Sequence, residues 1–181
     1  MGGCGAYKSF QNGLNASNQE VKAKWADVQN QYQRRSDLIG NLVATVKGAA
    51  AHEQNTLTAV IEARAKATQI TVNPDDLTPE KLQQFQAAQG QLSQALGRLL
   101  MVTENYPELK ANQNFRDLQA QLEGTENRIA VARRDYNESV QGYNSKVRSF
   151  PTNLLAGMFG FAPKATFEAD VAAQKAPEVK F

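Results

Sequence analysis

The stretch Phe115–Phe150, FRDLQAQLEGTENRIAVARRDYNESVQGYNSKVRSF, decides the fold class. Phe115, Leu118, Leu122, Ile129, Ala132, Tyr136, Val140, Tyr143, Val147 and Phe150 fall on steps that keep returning to one side of a helix, the signature of an amphipathic 3.6-residue period. Nothing in it sustains the strict alternation of a half-buried strand. At about 1.5 Å per residue such a helix reaches roughly 50 Å. Its apolar stripe can be buried only against other long helices.

Those partners are legible upstream. Leu14, Val21, Trp25, Val28 and Tyr32 mark a first helix with heptad-like a and d positions. Ser36 or Asp37 can cap a new start and Gly40 allows a bend, so a break or kink is expected near Asp37. Ile39, Leu42 and Val46 then resume the seam, and a second helix is expected through Leu57, Val60, Ile61 and Arg64 to about Thr68. The stretch ITVNPDDLTPE supplies a turn. Thr78, Pro79 and Glu80 read as N-cap, first-turn proline and early acid of a third helix. That helix carries Leu82, Phe85, Leu92, Leu96 and Leu99 and ends before Pro107. Gly90 and Gly97, seven apart on its flank, are expected to let a neighbouring backbone approach. All six prolines stand at or beyond Pro74, where they punctuate helices, because proline lacks the N–H a helix interior needs. The expected fold is all-α, an elongated antiparallel up-and-down four-helix bundle over residues 14–150 with an irregular C-terminal segment. Residues 1–13 read as a flexible N-terminal tether and 151–181 as a Pro- and Gly-containing apolar segment.

That last segment is rich in large apolar groups, among them Leu154, Leu155, Met158, Phe159 and Phe161. It either caps one end of the bundle or forms a partner surface. The longest apolar run, Leu154 to Ala162, is far short of the roughly 20 residues of a spanning helix.

Catalytic patterns are missing. His52-Glu53 is followed by Thr56, so the second histidine of an HExxH zinc site is absent. No phosphate-cradling glycine loop and no dinucleotide fingerprint stands between a strand and a helix. Asp75-Asp76 falls in a turn and reads as capping. Twenty basic against 18 acidic residues, scattered along the chain, form no nucleic-acid stripe. No enzyme activity, cofactor, metal or nucleic-acid partner is expected. Arg35 and Glu53, however, continue the apolar seam as charges, and a bundle core seldom accepts an unpaired charge. Pairing with each other or with Glu104, Glu126 or Arg133 would fix helix register; a buried ligand network is the alternative. Tyr136-Asn137 and Tyr143-Asn144 repeat at seven residues, placing both rings in one stripe, which core packing explains.

Taken together, KWADVQNQYQRRSDLIGNLVATVKGAAAHE, EARA and ENYPELKANQNFRDLQAQLEGTENRIAVARRDYNESVQGYN, followed by Phe150-Pro151, resemble the LemA family of bacterial envelope proteins, which includes a magnetosome-associated branch. The resemblance runs in order from about Lys24 to Pro151. It departs at Gly40, where such members usually carry proline, so a softer bend is implied there. The resemblance implies a helical bundle held at a membrane by its N-terminus, and it supplies no agreed biochemical activity. It also gives the lone cysteine a meaning. Gly2-Gly3-Cys4-Gly5 looks like the end of a lipoprotein box, so Cys4 is expected to carry lipid when a native signal precedes it. N-myristoylation at Gly2 fits less well, because Ala6 stands where that motif needs Ser or Thr. The implied location is the periplasmic face of the bacterial envelope, the outer membrane over the inner because Gly5 rather than Asp follows the cysteine. The role expected is that of a membrane-tethered structural or adaptor protein whose long bundle presents a surface to unidentified envelope proteins. A binding module for a small hydrophobic or peptide ligand between helices is the alternative.

Overall fold

The computed structural model describes residues 3–167, all-α, with no strand among them. Six helices follow in order: α1 (Gly3–Ala49), α2 (Gln54–Gln69), α3 (Pro79–Thr103), α4 (Pro107–Ala111), α5 (Gln113–Arg148) and α6 (Thr152–Met158). Two of the long helices have a capped start. Thr78 accepts a hydrogen bond from the Lys81 amide and Pro79 sits in the first turn of α3. Asn112 accepts from the amides of Asn114 and Phe115 and opens α5.

The expected break near Asp37 does not form. Helix α1 continues to Ala49, and the chain reverses at residues 50–53 instead. Ile39, Leu42 and Val46 are fully buried, so packing on both sides of Gly40 outweighs its low helix propensity. Asp37 accepts from Gln33, one turn back, instead of capping a new helix. A β-carbon on Gly40 would lie 3.2 Å from the Arg64 guanidinium. Arg64 Nε donates to the Ser36 carbonyl at 2.8 Å across the α1–α2 contact, so the missing side chain lets α2 come close. Gly90 and Gly97, by contrast, face open space, and the close approach expected beside them is absent. Ile61 and Phe150, placed on the apolar seam by their spacing, are exposed.

Helices α1 and α5 run antiparallel: Ser17 meets Lys146, Trp25 meets Tyr136 and Arg35 meets Glu126. Helix α2 returns along the far part of α1, and α3 runs back beside α2, so α1, α2, α3 and α5 alternate in direction. Their apolar residues form two clusters. One holds Leu38, Ile39, Leu42, Val46, Leu57, Val60, Leu92, Leu99, Phe115 and Leu122. The other holds Val21, Trp25, Val28, Tyr32, Leu82, Phe85, Ile129, Tyr136, Val140 and Tyr143, together with Val72 and Leu77 from the α2–α3 loop and Phe167 from the chain beyond α6.

The N-terminal stretch expected as a flexible tether is helical from Gly3, although residues 3–10 are exposed and burial begins at Leu14. After α6 the chain turns at Gly160, whose φ of 74° suits glycine, and residues 161–167 fold back along α5. The rest of the C-terminal segment expected over 151–181, from residue 168, lies outside the described residues, as does Gly2 of the lipoprotein-like box.

Leu92 is fully buried and Leu96 slightly less so. Truncating Leu92 to alanine is expected to lower the unfolding free energy by about 2–5 kcal/mol, and Leu96→Ala by less, both read from urea denaturation. An unchanged midpoint for Leu92→Ala would contradict the seam.

Candidate functional site

The two apolar clusters meet at a polar node. Arg35 is 3% exposed. Its Nη1 donates to Ser93 Oγ at 3.0 Å and to Glu126 Oε1 at 3.1 Å, and its Nη2 donates to Gln89 Oε1 at 2.5 Å and to the Gln89 carbonyl at 3.2 Å. One guanidinium thus joins α1, α3 and α5. Its Nε and the neighbouring Ser36 Oγ have no hydrogen-bond partner. The Arg35 guanidinium also lies 5.1 Å from the Tyr32 ring centroid. Burial holds the Tyr32 phenol above its ordinary pKa, against the opposing pull of Arg133 and Arg35. A pocket of about 170 Å³ opens here, lined by Arg35, Gln89, Gly90, Ser93, Glu126 and Arg133 among others.

The structure therefore brings Arg35, Glu126 and Arg133 together and separates the other two charges proposed for the network. Glu53 accepts from the Tyr106 hydroxyl at 3.0 Å beside the α1–α2 turn, and that bond raises the Tyr106 pKa. Glu104 pairs with Lys110 on the surface at 3.0 Å. Heptad spacing identifies charges that face inward, but it does not say at which level along the bundle they find partners. Among the described residues no group of three or more His, Cys, Asp or Glu could hold a metal ion.

The second site is the strap, residues 161–167. Asn144 Nδ2 donates to the Lys164 carbonyl and its Oδ1 accepts from the Lys164 amide, each at 2.8 Å. Asn137 treats Phe167 the same way, at 3.3 and 2.9 Å. The Tyr136 hydroxyl donates to the Ala165 carbonyl at 2.9 Å. Phe167 lies among Trp25, Phe85 and Tyr136, with the Arg133 guanidinium 4.8 Å from its ring centroid. The repeated Tyr-Asn pair thus does two jobs: the rings pack into the core and the amides hold a main chain. The seven-residue spacing makes the rings legible in the sequence, whereas the role of the amides shows only once the fold brings residues 164 and 167 beside them. On the other side of the strap, Trp25 Nε1 and Gln29 Nε2 both donate to the Val72 carbonyl at 3.2 Å, fixing the α2–α3 loop.

The five residues proposed as a partner surface divide. Leu154 and Met158 are exposed, whereas Leu155, Phe159 and Phe161 are half-buried, with Phe161 packed against the core and Phe159 edge-on to Tyr7 at 5.3 Å. Cys4 is exposed on the first turn of α1, at the same end of the bundle.

Two measurements test these sites. Glu126 is half exposed, so Glu126→Gln is expected to cost about 1–2 kcal/mol, between an exposed ion pair and a buried hydrogen bond to a charged group; no change in urea denaturation would contradict the node. Burial raises the Tyr136 pKa well above its ordinary 10.0. Above that value the unfolded chain loses a phenolic proton that the folded chain keeps, so stability falls as pH rises through this window. Tyr136→Phe is expected to make the decline from about pH 9 to about pH 11 shallower, with buried Tyr32 and Tyr143 leaving part of it. Equal slopes would contradict the burial.

The chain matches the LemA family over residues 24–181. The magnetosome protein MamQ 2 of Paramagnetospirillum magneticum is 28% identical over 167 residues, covering 83% of this chain and 61% of the relative. The magnetosome protein MamQ of Magnetospirillum gryphiswaldense is 26% identical over 160 residues, covering 79% and 59%. Protein LemA of Metamycoplasma hominis is 26% identical over 163 residues, covering 90% and 71%. The chain thus spans about 61% of the length of the MamQ 2 relative. The matched range takes in the Arg35 node, both Tyr-Asn pairs and the strap they hold, and with most of its length matched the chain belongs to the LemA family.

Proposed function

We propose that this chain is a non-enzymatic, membrane-tethered structural or adaptor protein of the bacterial envelope, lipid-anchored at Cys4 and facing the periplasm. The observation that carries the reading is the chemistry of one end of the bundle. Tyr7, Phe10, Phe150, Leu154 and Met158 are exposed there, Phe150 to 80% and Met158 to 79%, beside exposed Cys4. Exposed Lys8 and Arg148 flank them, which suits an anionic lipid surface.

No helix among the described residues is long and apolar enough to cross a membrane; the attachment proposed is a lipid on Cys4. A single acyl chain holds a protein only marginally, and a second signal makes the attachment stable. Apolar side chains that enter the interface would add to it, at about 1.5–3 kcal/mol for each one fully buried. The adaptor role is supported by the length of α1, 47 residues or roughly 70 Å, which presents a long polar surface away from that end. A small hydrophobic ligand between the helices has less support, because Phe167, Trp25 and Phe85 fill the core where such a ligand would enter.

The test is to express the protein behind a lipoprotein signal, feed a radioactive fatty acid and fractionate the cells. Wild type is expected in the membrane fraction with label, and Cys4→Ser unlabelled and largely released. Adding Leu154→Asp and Met158→Asp is expected to remove what Cys4→Ser leaves behind. Equal membrane retention of wild type and Cys4→Ser, with no label on wild type, would contradict the reading.

A further inference from the structure

Residues 161–167 are held as a bound peptide is held. Five hydrogen bonds tie it to α5: Asn144, Asn137 and Tyr136 donate to the Lys164, Phe167 and Ala165 carbonyls, and the two asparagines accept from the Lys164 and Phe167 amides. They recognise a backbone and ignore side-chain identity. The geometry sets a register: seven residues of α5 separate the two asparagines by about 10.5 Å, and the three steps from Lys164 to Phe167 cover about 10 Å only when the chain is extended. Identity is read most deeply where the Phe167 ring enters the box of Trp25, Phe85 and Tyr136 under Arg133, with Phe161 and Ala165 only partly buried against the core. Main-chain bonds with one side-chain pocket are the means by which grooves recognise extended peptides.

We propose that this groove is a peptide-recognition site that accepts, in trans, an extended segment of a protein partner with an aromatic residue three positions after the residue held by Asn144, displacing residues 161–167. The proposal deepens the adaptor reading and rests on it only for the existence of a protein partner. The resident strap is an imperfect ligand. Lys164 is half-buried, and burial, then the Lys22 charge, lowers its pKa, with Asp75 only partly offsetting them. Its Nζ reaches the Pro74 carbonyl at a long 3.5 Å and lies 5.3 Å from the Tyr143 ring centroid. A segment with a neutral side chain at that position keeps every main-chain bond and escapes the cost of burying the ammonium. The strap's advantage is its tether, which acts as an effective concentration on the order of mM, so a partner at micromolar concentration displaces it only by binding about a thousandfold more tightly than the strap's own sequence does.

The test uses the full chain carrying Lys164→Pro and Phe167→Ala, which removes one clamped amide and the aromatic plug. The probe is a fluorescein-labelled heptapeptide with the sequence of residues 161–167, FAPKATF, followed by fluorescence anisotropy. It is expected to bind this variant about tenfold or more tighter than wild type, whose groove is filled. Adding Asn137→Ala and Asn144→Ala, or using the Phe167→Ala peptide, is expected to weaken binding about tenfold or more, and the Lys164→Met peptide is expected to bind more tightly. Phe167→Leu alone is the milder chain variant should the double substitution fail to fold, and its affinity is expected to lie between the two. Equal weak binding to every chain would overturn the proposal. So would concentration-dependent dimerisation of wild type by strap exchange, which would assign the groove to a second copy. Membrane fractionation does not involve Asn137 or Asn144, so either experiment can fail without the other.

Discussion

The mismatch in helix length is the constraint on which the rest of the structure depends. Helices α1 and α5 have 47 and 36 residues, against 16 and 25 in α2 and α3. Where α2 has ended, the pair α1–α5 still presents Trp25, Tyr136, Val140 and Tyr143. Exposed as one stripe, these side chains would make an apolar patch of a size uncommon on a soluble surface. The α2–α3 loop covers part of it through Val72 and Leu77, the start of α3 part through Leu82 and Phe85, and the strap a further part through Ala165 and Phe167. A segment without regular structure thereby becomes part of the core, and its main-chain groups need partners because burial without a hydrogen bond is costly. Asn137, Asn144 and Tyr136 are those partners.

Arg35 is the complementary device. It sits where the two apolar clusters meet and ties three helices with one guanidinium. An apolar side chain would fill the same space with fewer directional demands, and buried ion pairs are not in general a source of net stability. What Arg35 adds is register: sliding α3 or α5 by one turn would strand its charge away from Gln89, Ser93 and Glu126. The half-exposed carboxylate of Glu126 keeps the pair partly solvated, which reduces the desolvation cost.

Most of the helical frame is legible in the sequence, because the apolar period of α3 and α5 is long and uninterrupted and the Thr78-Pro79 start is a local signal. The seam through Asp37 misleads because Ser36, Asp37 and Gly40 look like punctuation, while the deciding fact is burial of Ile39, Leu42 and Val46 against α2 and α3. The inward position of Arg35 follows from spacing, but its partners lie 54 to 91 residues away and pairing at that distance leaves no local trace. The strap is the least legible part. The asparagines advertise themselves by repeating at seven residues, yet the chain they hold carries no periodicity, and only the fold brings Lys164 beside Asn144. Composition marks the end of the bundle as apolar without saying which side chains are buried, and the structure sorts them: Leu154 and Met158 face outward, while Phe159 and Phe161 turn partly inward.

The central claim is that Asn137 and Asn144 hold the strap by its main chain, and amide hydrogen exchange measured by NMR reads that directly. The amides of Lys164 and Phe167, which donate to the two asparagines, are expected to be protected, and Asn137→Ala with Asn144→Ala is expected to abolish the protection of both. Exchange of these two amides in the wild-type chain at the rate of an unstructured peptide would contradict the account.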